Sequence, residues 1–391
     1  MRGRRVWFAV LARNDGDKPL RQYFRLSLDP AAHGSASYSP TAELFVPARS
    51  DGRVILSAWV APGVQRIAIR GPSVSVADAH RFTLAFRCSP PLQPGIPSKQ
   101  QALLDEALTL YLDNTIHPPA DKAEFKTRAR NLATGAELAD DVWWTMRVML
   151  LDAGDHHSYI VPQSTRAAYL DFFAPVPPVV TMRGDGLAIV SVSRAMFGGD
   201  EQGSRDYAHR LHAAVADVSA HEPRGWILDL RDFGGGDMWP VLAGLSALVN
   251  GPLAGEFVSK RGREPWMVGA GRAGTKTTPE AGSIGSRDDT VITAPVAVLI
   301  GPGTGSSGEA TAVAFKGRPR TRFFGQPTLG WYDSGVVQHY LSDGTMFAVA
   351  ESLYADRTGH VYDGAIEPDV VVLKDGDPMA AAAAWLSQAA H

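Results

Sequence analysis

The serine best placed for nucleophilic chemistry in this sequence lies in a glycine-rich run. Ser306 belongs to residues 301–309 (GPGTGSSGE), which follow the apolar run 296–300 and precede the helix-forming run 310–315. This order predicts a buried strand, a turn and a helix. Free N–H groups and the helix dipole at such a turn stabilise a developing negative charge, as a nucleophilic serine requires. A flexible loop, or an N-cap role for Ser306, is the plainer interpretation of the same residues.

Three more segments carry the remaining parts needed for acyl transfer. Residues 226–231 (WILDLR) predict a short strand that runs into residues 232–236 (DFGGG). Three glycines after a strand let the backbone turn sharply and present N–H groups to a cavity. Residues 150–158 (LLDAGDHHS) contain two histidines, and residues 362–369 (YDGAIEPD) contain acids. A serine, a histidine, an acid and amide donors are the components of acyl transfer.

The segments around these residues alternate between strands and helices. The sequence predicts strands at 187–192, 226–230, 296–300 and 321–325, helices at 205–219 and 238–249, and a hairpin that turns at 342–344. Alternation of strand and helix predicts parallel strands. Because the carboxyl ends of parallel strands meet at one edge of a sheet, we expect the serine turn and the glycine turn to lie close together.

Three regions are predicted along the chain. Residues 1–92 alternate polar and apolar residues in short runs separated by turn residues, which predicts a small N-terminal β-sandwich domain. The Pro-rich stretch 88–95 is the clearest linker. Residues 98–160 form a helical segment that ends in the histidine motif, and residues 161–391 form the α/β core. Within the core, residues 256–289 are rich in Gly, Arg and Thr and are predicted to be a loop that forms a cleft wall.

The composition is that of a globular protein. Of the 391 residues, 45% are hydrophobic and 20% are charged, and the formal net charge is −3. This balance gives no electrostatic reason to bind nucleic acid or an anionic membrane, and no run is long enough for a transmembrane helix. The single cysteine, Cys88, excludes an intrachain disulfide. Residues 1–12 predict a strand rather than a signal peptide. The sequence indicates neither the compartment nor the oligomeric state.

Taken together, the motifs resemble those of the tail-specific, or C-terminal processing, serine peptidases. The most similar branch is that of the tricorn core protease and the interphotoreceptor retinoid-binding protein modules. The resemblance covers roughly residues 98–375. The matching motifs are Asp155-x-His157-Ser158, Asp229-Leu230-Arg231-x-x-x-Gly235-Gly236, Thr304-x-Ser306-x-x-Glu309, Gly325-x-Pro327-Thr328-x-Gly330, Asp343-Gly344 and Pro368-Asp369. The resemblance implies an α/β (α+β) fold with a clp/crotonase-like core of spiralling ββα units.

The resemblance also implies a serine endopeptidase that acts on a peptide or protein substrate without a metal or cofactor. Ser306 matches the nucleophile, His157 matches the general base, and Asp363 matches the acid that orients the imidazole. The oxyanion hole that it implies is formed by the backbone N–H groups of Gly235, Gly236 and Ser307. The alternatives that stay open are His156 or His339 as the base, Asp333 or Glu351 as the acid, and Ser307 as the nucleophile.

Three departures from the family pattern bear on the mechanism. The lysine that acts as base in the better-known branch is replaced by Trp331, and only Lys316 and Lys374 follow the serine, so a Ser–Lys dyad is not expected. A histidine, which ordinarily titrates near pH 6.5, can accept the serine proton near neutrality instead. Phe233 stands where an asparagine usually precedes the glycines. The segment between the histidine motif and the core strands is too short to add a PDZ module, so none is expected.

Two other classes of protein fit parts of the sequence. Gly303-x-Gly305-x-x-Gly308 after a strand matches a dinucleotide-binding fingerprint. No acidic residue follows at the end of the next strand, where a Rossmann site needs one. A non-catalytic binding protein on the same scaffold is the second alternative, since the retinoid-binding relatives carry ligands. The presence of both Ser306 and His157 favours the enzyme, while the natural substrate is not indicated by the sequence.

Overall fold

The computed structural model describes residues 96–134, 136, 138–330, 335–373 and 375–389, and the backbone of six strands before residue 89. These six are β1 (Arg4–Asn14), β2 (Leu20–Pro30), β3 (Thr41–Val46), β4 (Ser50–Val60), β5 (Val64–Arg70) and β6 (His80–Cys88). They form two antiparallel sheets, ordered β4-β1-β6 and β3-β2-β5. Most of the predicted linker, residues 89–95, lies outside the described residues.

The helices and strands that follow are of mixed type. In chain order they are α1 (Ser98–Asn114), α2 (Lys122–Leu132), α3 (Ala139–Asp152), β7 (Tyr159–Val161), α4 (Arg166–Phe172), β8 (Val179–Met182), β9 (Leu187–Ser191), α5 (Glu201–Ser219), β10 (Gly225–Asp229), α6 (Met238–Gly244), α7 (Ser246–Val249), β11 (Leu253–Ser259), β12 (Gly262–Gly269), β13 (Arg272–Gly274), β14 (Gly282–Ser283), β15 (Val296–Ile300), α8 (Ser307–Phe315), β16 (Thr321–Gly325), β17 (Val336–Tyr340), β18 (Met346–Ala350), β19 (Ser352–Asp356), β20 (Val370–Val371) and α9 (Pro378–Ala389). The predicted mixed α/β fold is confirmed.

The chain divides into two compact units. The first consists of residues 1–163 and 338–348, and the second consists of residues 164–337 and 349–391. The predicted division into residues 1–92, 98–160 and 161–391 stays a prediction. In the first unit, β18 pairs antiparallel with β7, and the ring of Phe347 stacks on that of Tyr111, with the centroids 6.3 Å apart.

The second unit is built on a six-stranded sheet that contains the predicted parallel strands. Its order is β20-β16-β15-β10-β9-β8. Strands β9, β10, β15 and β16 pair in parallel, and β8 runs antiparallel at one edge. The carboxyl ends of β10 and β15 therefore lie side by side, which brings the glycine turn after β10 next to the serine turn after β15.

Both faces of this sheet are buried, as expected for parallel strands covered by helices. In β10, Trp226 and Leu228 belong to the larger core, which includes residues of α5, α6 and α8. Ile227, which points to the other face, packs in a smaller core with Leu386 of α9. Burial of each such side chain contributes about 1.5–3 kcal/mol. The strands that end at the two turns are thus held firmly from both sides.

The prediction of a loop over residues 256–289 was wrong. This stretch supplies most of an antiparallel sheet ordered β14-β13-β12-β11-β19. Its stability comes from an aromatic cluster in which Phe257, Trp266 and Tyr354 meet with ring centroids 4.9 to 6.0 Å apart. Tyr354 lies on β19, nearly a hundred residues later in the chain, so the local composition did not reveal this partner.

The helix predicted at 238–249 is also interrupted, since α6 ends at Gly244 and α7 begins at Ser246. Two arginines, the buried Arg318 and the half-buried Arg357, fix the neighbouring backbone. Arg357 donates to the carbonyls of Val249 and Ala314, and Arg318 donates to the carbonyl of Leu248. These bonds connect the end of α7 with the end of α8. None of the helices in the described part of the chain has the length and apolar character needed to cross a bilayer.

Candidate active site

Ser306 lies at a sharp turn between β15 and α8. Its backbone angles are φ +53° and ψ −120°, a conformation that non-glycine residues rarely adopt. The turn is sharp because α8 begins at the next residue, and every residue of α8 is buried. In α/β-hydrolases, which have a different fold, a strained strand-to-helix turn of this kind exposes the nucleophile. Ser306 itself is half-buried.

Glycines allow the serine turn and the turn after β10 to pack backbone to backbone. The Gly305 N–H donates to the carbonyl of Phe233 at 3.1 Å. A Cβ atom placed on Gly308 would lie 1.9 Å from the same carbonyl oxygen, and one on Gly303 would lie 2.4 Å from the carbonyl oxygen of Arg231. No side chain fits at either position, so the spacing of the glycines in the sequence follows from this contact.

Gly235 is the residue of the second turn that lies against Ser306. Its φ is +138°, and a Cβ atom placed on it would lie 3.1 Å from the Ser306 Cβ and 3.4 Å from the Ser306 Oγ. By standard covalent geometry, the Gly235 nitrogen therefore lies within about 6 Å of the hydroxyl oxygen. At this distance the Gly235 N–H stays a candidate donor to an oxyanion formed beside Ser306. The direction of the N–H stays a prediction.

Gly236 and Ser307 hold the second turn in place. The Ser307 hydroxyl donates to the carbonyl of Gly236 at 2.8 Å. Gly236, at φ +134°, packs so closely on Ala195 that an added Cβ would lie 2.6 Å from the carbonyl carbon of that residue. The rival nucleophile Ser307 thus uses its hydroxyl to connect the two turns. Phe233, which replaces the usual asparagine, is fully buried in the larger core.

Glu309 anchors the serine turn, a role that the sequence analysis missed. The Ser306 N–H donates to Oε2 of Glu309 at 3.0 Å. The Thr328 hydroxyl and the Gly330 N–H donate to Oε1 at 2.6 and 2.9 Å. Glu309 is fully buried, so it needs these donors to offset the loss of hydration. Hydrogen bonds to Glu309 therefore connect the motif at residues 304–309 with the motif at residues 325–330. The presence of both motifs in the sequence was the feature from which this connection could have been predicted.

Asp155 organises the turn that carries the candidate base in the first unit. Its carboxylate accepts the N–H groups of His157 and Ser158 at 3.1 and 2.8 Å, and the Ser158 hydroxyl at 2.6 Å. His157 is 6% exposed, whereas the rival His156 is exposed. The second rival, His339, is half-buried and also belongs to the first unit.

The candidate acids lie in different surroundings. Asp363 is exposed, and within the second unit its carboxylate makes no hydrogen bond or ion pair to a described residue. The Glu351 side chain is 11% exposed and lies 4.0 Å from the guanidinium of Arg261. Asp333 falls outside the described residues. Within the part of the chain that the structure describes, no group of three His, Cys, Asp or Glu residues is arranged to hold a metal ion.

The two lysines after the serine were predicted not to act as the base. Lys316 follows the last residue of α8, so it lies about 15 Å from Ser306 along a helix that rises 1.5 Å per residue. Its Nζ donates to the carbonyl of Glu367 at 3.1 Å and lies 3.8 Å from the centroid of the Phe323 ring. Burial lowers the pKa of Lys316, and nearby carboxylates oppose that change. Lys374 lies outside the described residues.

Asp237 places a titratable carboxyl directly after the glycine turn. It caps α6 by accepting the Trp239 N–H at 3.0 Å, and its own N–H donates to the carbonyl of Ala195 at 2.8 Å. Burial raises the pKa of Asp237 to about 6, although the bond from Trp239 favours the charged form. The folded protein therefore takes up a proton here more readily than the unfolded chain does.

Replacing Asp237 by asparagine is expected to change how stability depends on pH. Because the folded pKa of about 6 exceeds the ordinary aspartate pKa of 3.8, the free energy of unfolding should rise as the pH falls from above 6 towards 4. Asp237→Asn retains a good N-cap and removes this titration. At pH 8 the variant should be more stable by about 1 kcal/mol, since the half-exposed position reduces the full effect.

Urea denaturation of both proteins at pH 8, 6 and 4.5 measures this difference. Asp200→Asn is the matched control, because Asp200 is an exposed N-cap that accepts the Gly203 N–H. It should change stability by only a few tenths of a kcal/mol. An unchanged pH dependence in Asp237→Asn would contradict the assignment.

A serine on a strained turn, with a glycine turn against it at the edge of a parallel sheet, is the arrangement expected from the resemblance to serine peptidases with a clp/crotonase-like core. Residues 189–372 match the model of peptidase family S41. The chain thus carries a domain of peptidase family S41, and the predicted family is confirmed.

One curated relative and two solved structures are similar to this chain. The nisin-resistance protein of Lactococcus lactis subsp. lactis is 30% identical over 227 residues, which cover 56% of this chain and 66% of that protein, just under two thirds of its length. A lipoprotein from Streptococcus agalactiae has 20% identity and a TM-score of 0.63, covering 77% of this chain and 98% of that one. A candidate peptidase from Parabacteroides merdae has 15% identity and a TM-score of 0.50, covering 74% and 96%. At these identities the two structures show the shared fold.

Proposed function

We propose that the chain is a serine endopeptidase that hydrolyses peptide bonds by a Ser-His-acid mechanism. Ser306 is the nucleophile, His157 is the general base, and Asp363 is the acid that orients the imidazole. The observation that carries the proposal is the strained backbone of Ser306, with Gly235 directly beside its hydroxyl. Strain of this kind costs about 1–3 kcal/mol and persists where the surroundings hold it in place, commonly at functional sites.

The proposed reaction begins when the Ser306 hydroxyl attacks the carbonyl carbon of the scissile peptide bond. His157 accepts the hydroxyl proton and later gives it to the leaving amine. The negative charge on the tetrahedral intermediate is stabilised by the N–H groups of Gly235, Gly236 and Ser307. Water, activated by the same imidazole, then hydrolyses the acyl-enzyme and regenerates the serine.

Reaction with a fluorophosphonate probe tests the proposal directly, because such probes modify activated serines. We expect one equivalent of label per chain, located on Ser306 by mass spectrometry. The alternative, a non-catalytic binding protein, predicts no label under conditions that modify a known serine peptidase. Cleavage of a mixed peptide library would then show whether the protein prefers sites near the carboxyl terminus, as the resemblance to tail-specific peptidases predicts.

The Lactococcus relative suggests one substrate to include in these assays. Its name refers to resistance to nisin, and a peptidase that cleaves nisin would confer such resistance. We therefore infer that peptides of this type belong among the candidate substrates. The expected result is the appearance of nisin fragments with the native protein and their absence with a Ser306→Ala variant.

Replacing His157 by alanine is expected to lower turnover by about 10³, because general base catalysis would be lost. In the native protein, activity should rise with pH through a single ionisation, since only a neutral imidazole accepts the proton. Initial rates between pH 5 and 9 measure both effects.

His156→Ala and His339→Ala are the matched controls, and each should retain most of the activity. Full activity in His157→Ala, or a rate that rises only in the range where lysines titrate, would refute the assignment of the base.

A further inference from the structure

Leu329 is an exposed apolar residue that lies against the serine turn. It is 43% exposed, whereas Thr328 before it is buried. A Cβ atom placed on Gly305, the residue before Ser306, would lie 3.0 Å from the Cδ2 of Leu329 and 3.4 Å from its Cβ. Since a carbon–carbon bond is about 1.5 Å long and consecutive Cα atoms are about 3.8 Å apart, this Cδ2 lies within about 8 Å of the Ser306 Cα. A substrate bond attacked by Ser306 is therefore close to the Leu329 side chain.

Leu329 and the glycine turn flank the serine turn from different sides. In the sheet, β15 lies between β16 and β10. The serine turn after β15 therefore has the loop after β16, which carries Leu329, on one side and the glycine turn after β10 on the other. In the proposed reaction, the carbonyl oxygen of the substrate faces the donors of the glycine turn. The other two substituents of that carbonyl carbon, which belong to the residues before and after the scissile bond, point away from the glycine turn.

Hydrogen bonds that do not involve the Leu329 side chain hold its backbone in place. The Leu329 N–H donates to the carbonyl of Thr304 at 2.9 Å. On either side of Leu329, the Thr328 hydroxyl and the Gly330 N–H both donate to Oε1 of Glu309. A polar residue at position 329 would keep all of these bonds. Exposed apolar surface is unfavourable in water by about 25 cal/mol per Å², so the apolar character of this residue is an advantage only when another apolar group covers it.

The exposure of Leu329 sets it apart from the other large apolar residues of the site. The motifs at residues 229–236, 304–309 and 325–330 are all described, and Leu329 is the one large hydrophobic residue in them that is exposed. Leu230 and Phe233 are fully buried. Leu329 is thus the apolar side chain that these motifs present to a substrate.

We propose that Leu329 is a specificity-determining residue that contacts an apolar side chain of the substrate next to the scissile bond. The substrate class is a peptide with an aliphatic or aromatic residue directly before or directly after the cleaved bond. The contact removes apolar surface from both partners, and a difference of one or a few methylene groups in such a contact discriminates among substrates by roughly tenfold or more. This role rests on the proposed peptidase function.

Cleavage of a synthetic library of blocked decapeptides, with the products identified by mass spectrometry, tests the proposal. With the native protein, we expect an apolar residue on one side of the scissile bond to raise kcat/KM about tenfold over a charged residue there. Leu329→Asp should shift the preference at that position towards lysine and arginine, and Leu329→Lys should shift it towards aspartate and glutamate. The absence of an apolar preference on both sides of the bond, or an identical preference in all three proteins, would overturn the proposal.

Two control variants separate specificity from general effects on folding. Leu329→Met keeps an apolar side chain and should keep the apolar preference. Met182→Asp makes the same kind of change at an exposed apolar residue of β8, which pairs with Ala188 near the start of β9 and so lies at the sheet edge away from the serine turn. It should leave the preference unchanged. A purely structural role of Leu329 predicts that its two charged variants lower the rate on every peptide by the same factor, and that result would contradict the proposal.

Fluorophosphonate labelling of the native protein distinguishes failure of this inference from failure of the proposed function. Labelling of Ser306 without an apolar preference at the cleaved bonds overturns the role of Leu329 and leaves the peptidase in place. Absence of labelling overturns the peptidase, and the apolar contact is then measured by titrating a blocked alanine pentapeptide with a central leucine, and its twin with a central aspartate, in isothermal calorimetry. Tighter binding of the leucine peptide that is lost in Leu329→Asp supports the contact, and equal binding of the two peptides overturns it.

Discussion

Replacing Ser306 by alanine is expected to lower peptide hydrolysis by at least about 10³ while leaving the fold intact. Removal of a nucleophile that acts together with its base abolishes nearly all of their joint contribution. The fold should persist because the bond from the Ser306 N–H to Glu309 does not involve the side chain. Initial rates on a peptide that the native protein cleaves, together with circular dichroism of both proteins, measure the two parts of this result.

Ser307→Ala is the matched control for that loss. The Ser307 hydroxyl donates to the carbonyl of Gly236, so its removal should loosen the glycine turn and reduce activity only moderately, by about tenfold or less. The reverse outcome, with Ser307→Ala inactive and Ser306→Ala fully active, would show that the nucleophile is the second serine of the pair.

Replacing Gly235 by alanine or valine is expected to lower turnover by about 10²–10³. The new Cβ would lie 3.1 Å from the Ser306 Cβ, and φ +138° is strained for any residue with a side chain. The turn would shift and displace the N–H that we propose as an oxyanion donor, and the loss of such a donor costs about 3 kcal/mol of transition-state stabilisation. We also expect a loss of about 1–3 kcal/mol in the free energy of unfolding.

Gly234→Ala serves as the control for this effect on the turn. A Cβ atom at Gly234 would lie 3.6 Å from the carbonyl oxygen of Gly303, an ordinary contact, so both activity and stability should be nearly unchanged. Fluorophosphonate labelling of each variant reports whether Ser306 remains accessible. If Gly235→Val were as active as the native protein, the oxyanion hole would have to be formed elsewhere.

The parallel strands at the centre of the fold could be predicted, because the sequence pattern that indicates each strand lies within one short segment. Residues 226–230 and 296–300 are short, largely apolar runs that alternate with predicted helices, and this alternation predicts buried parallel strands. The proximity of the glycine turn and the serine turn then followed, because the carboxyl ends of parallel strands lie at one edge of the sheet. The antiparallel sheet over residues 253–283 could not be recognised in this way, because the burial of Trp266 depends on Tyr354 far along the chain.

The candidate site also has one part that could be predicted from the sequence and one part that could not. The proximity of Ser306 and Gly235 could be predicted, since each follows a strand of one sheet. The anchoring of the serine turn by Glu309 could not, because it depends on Thr328 and Gly330 of a later loop. The sequence offers three candidate acids, and Asp363, the one that matches the motif, is exposed.

The second unit is interrupted by residues 338–348, which belong to the first. These residues include Leu341, Met346 and Phe347, all buried. A fragment of residues 164–391 produced alone would expose them, together with an unpaired β18 edge, and should aggregate. Mixed as separate polypeptides, the two pieces should instead reassemble by strand complementation. A cut of the chain at residue 163 therefore does not release the second unit as a free module.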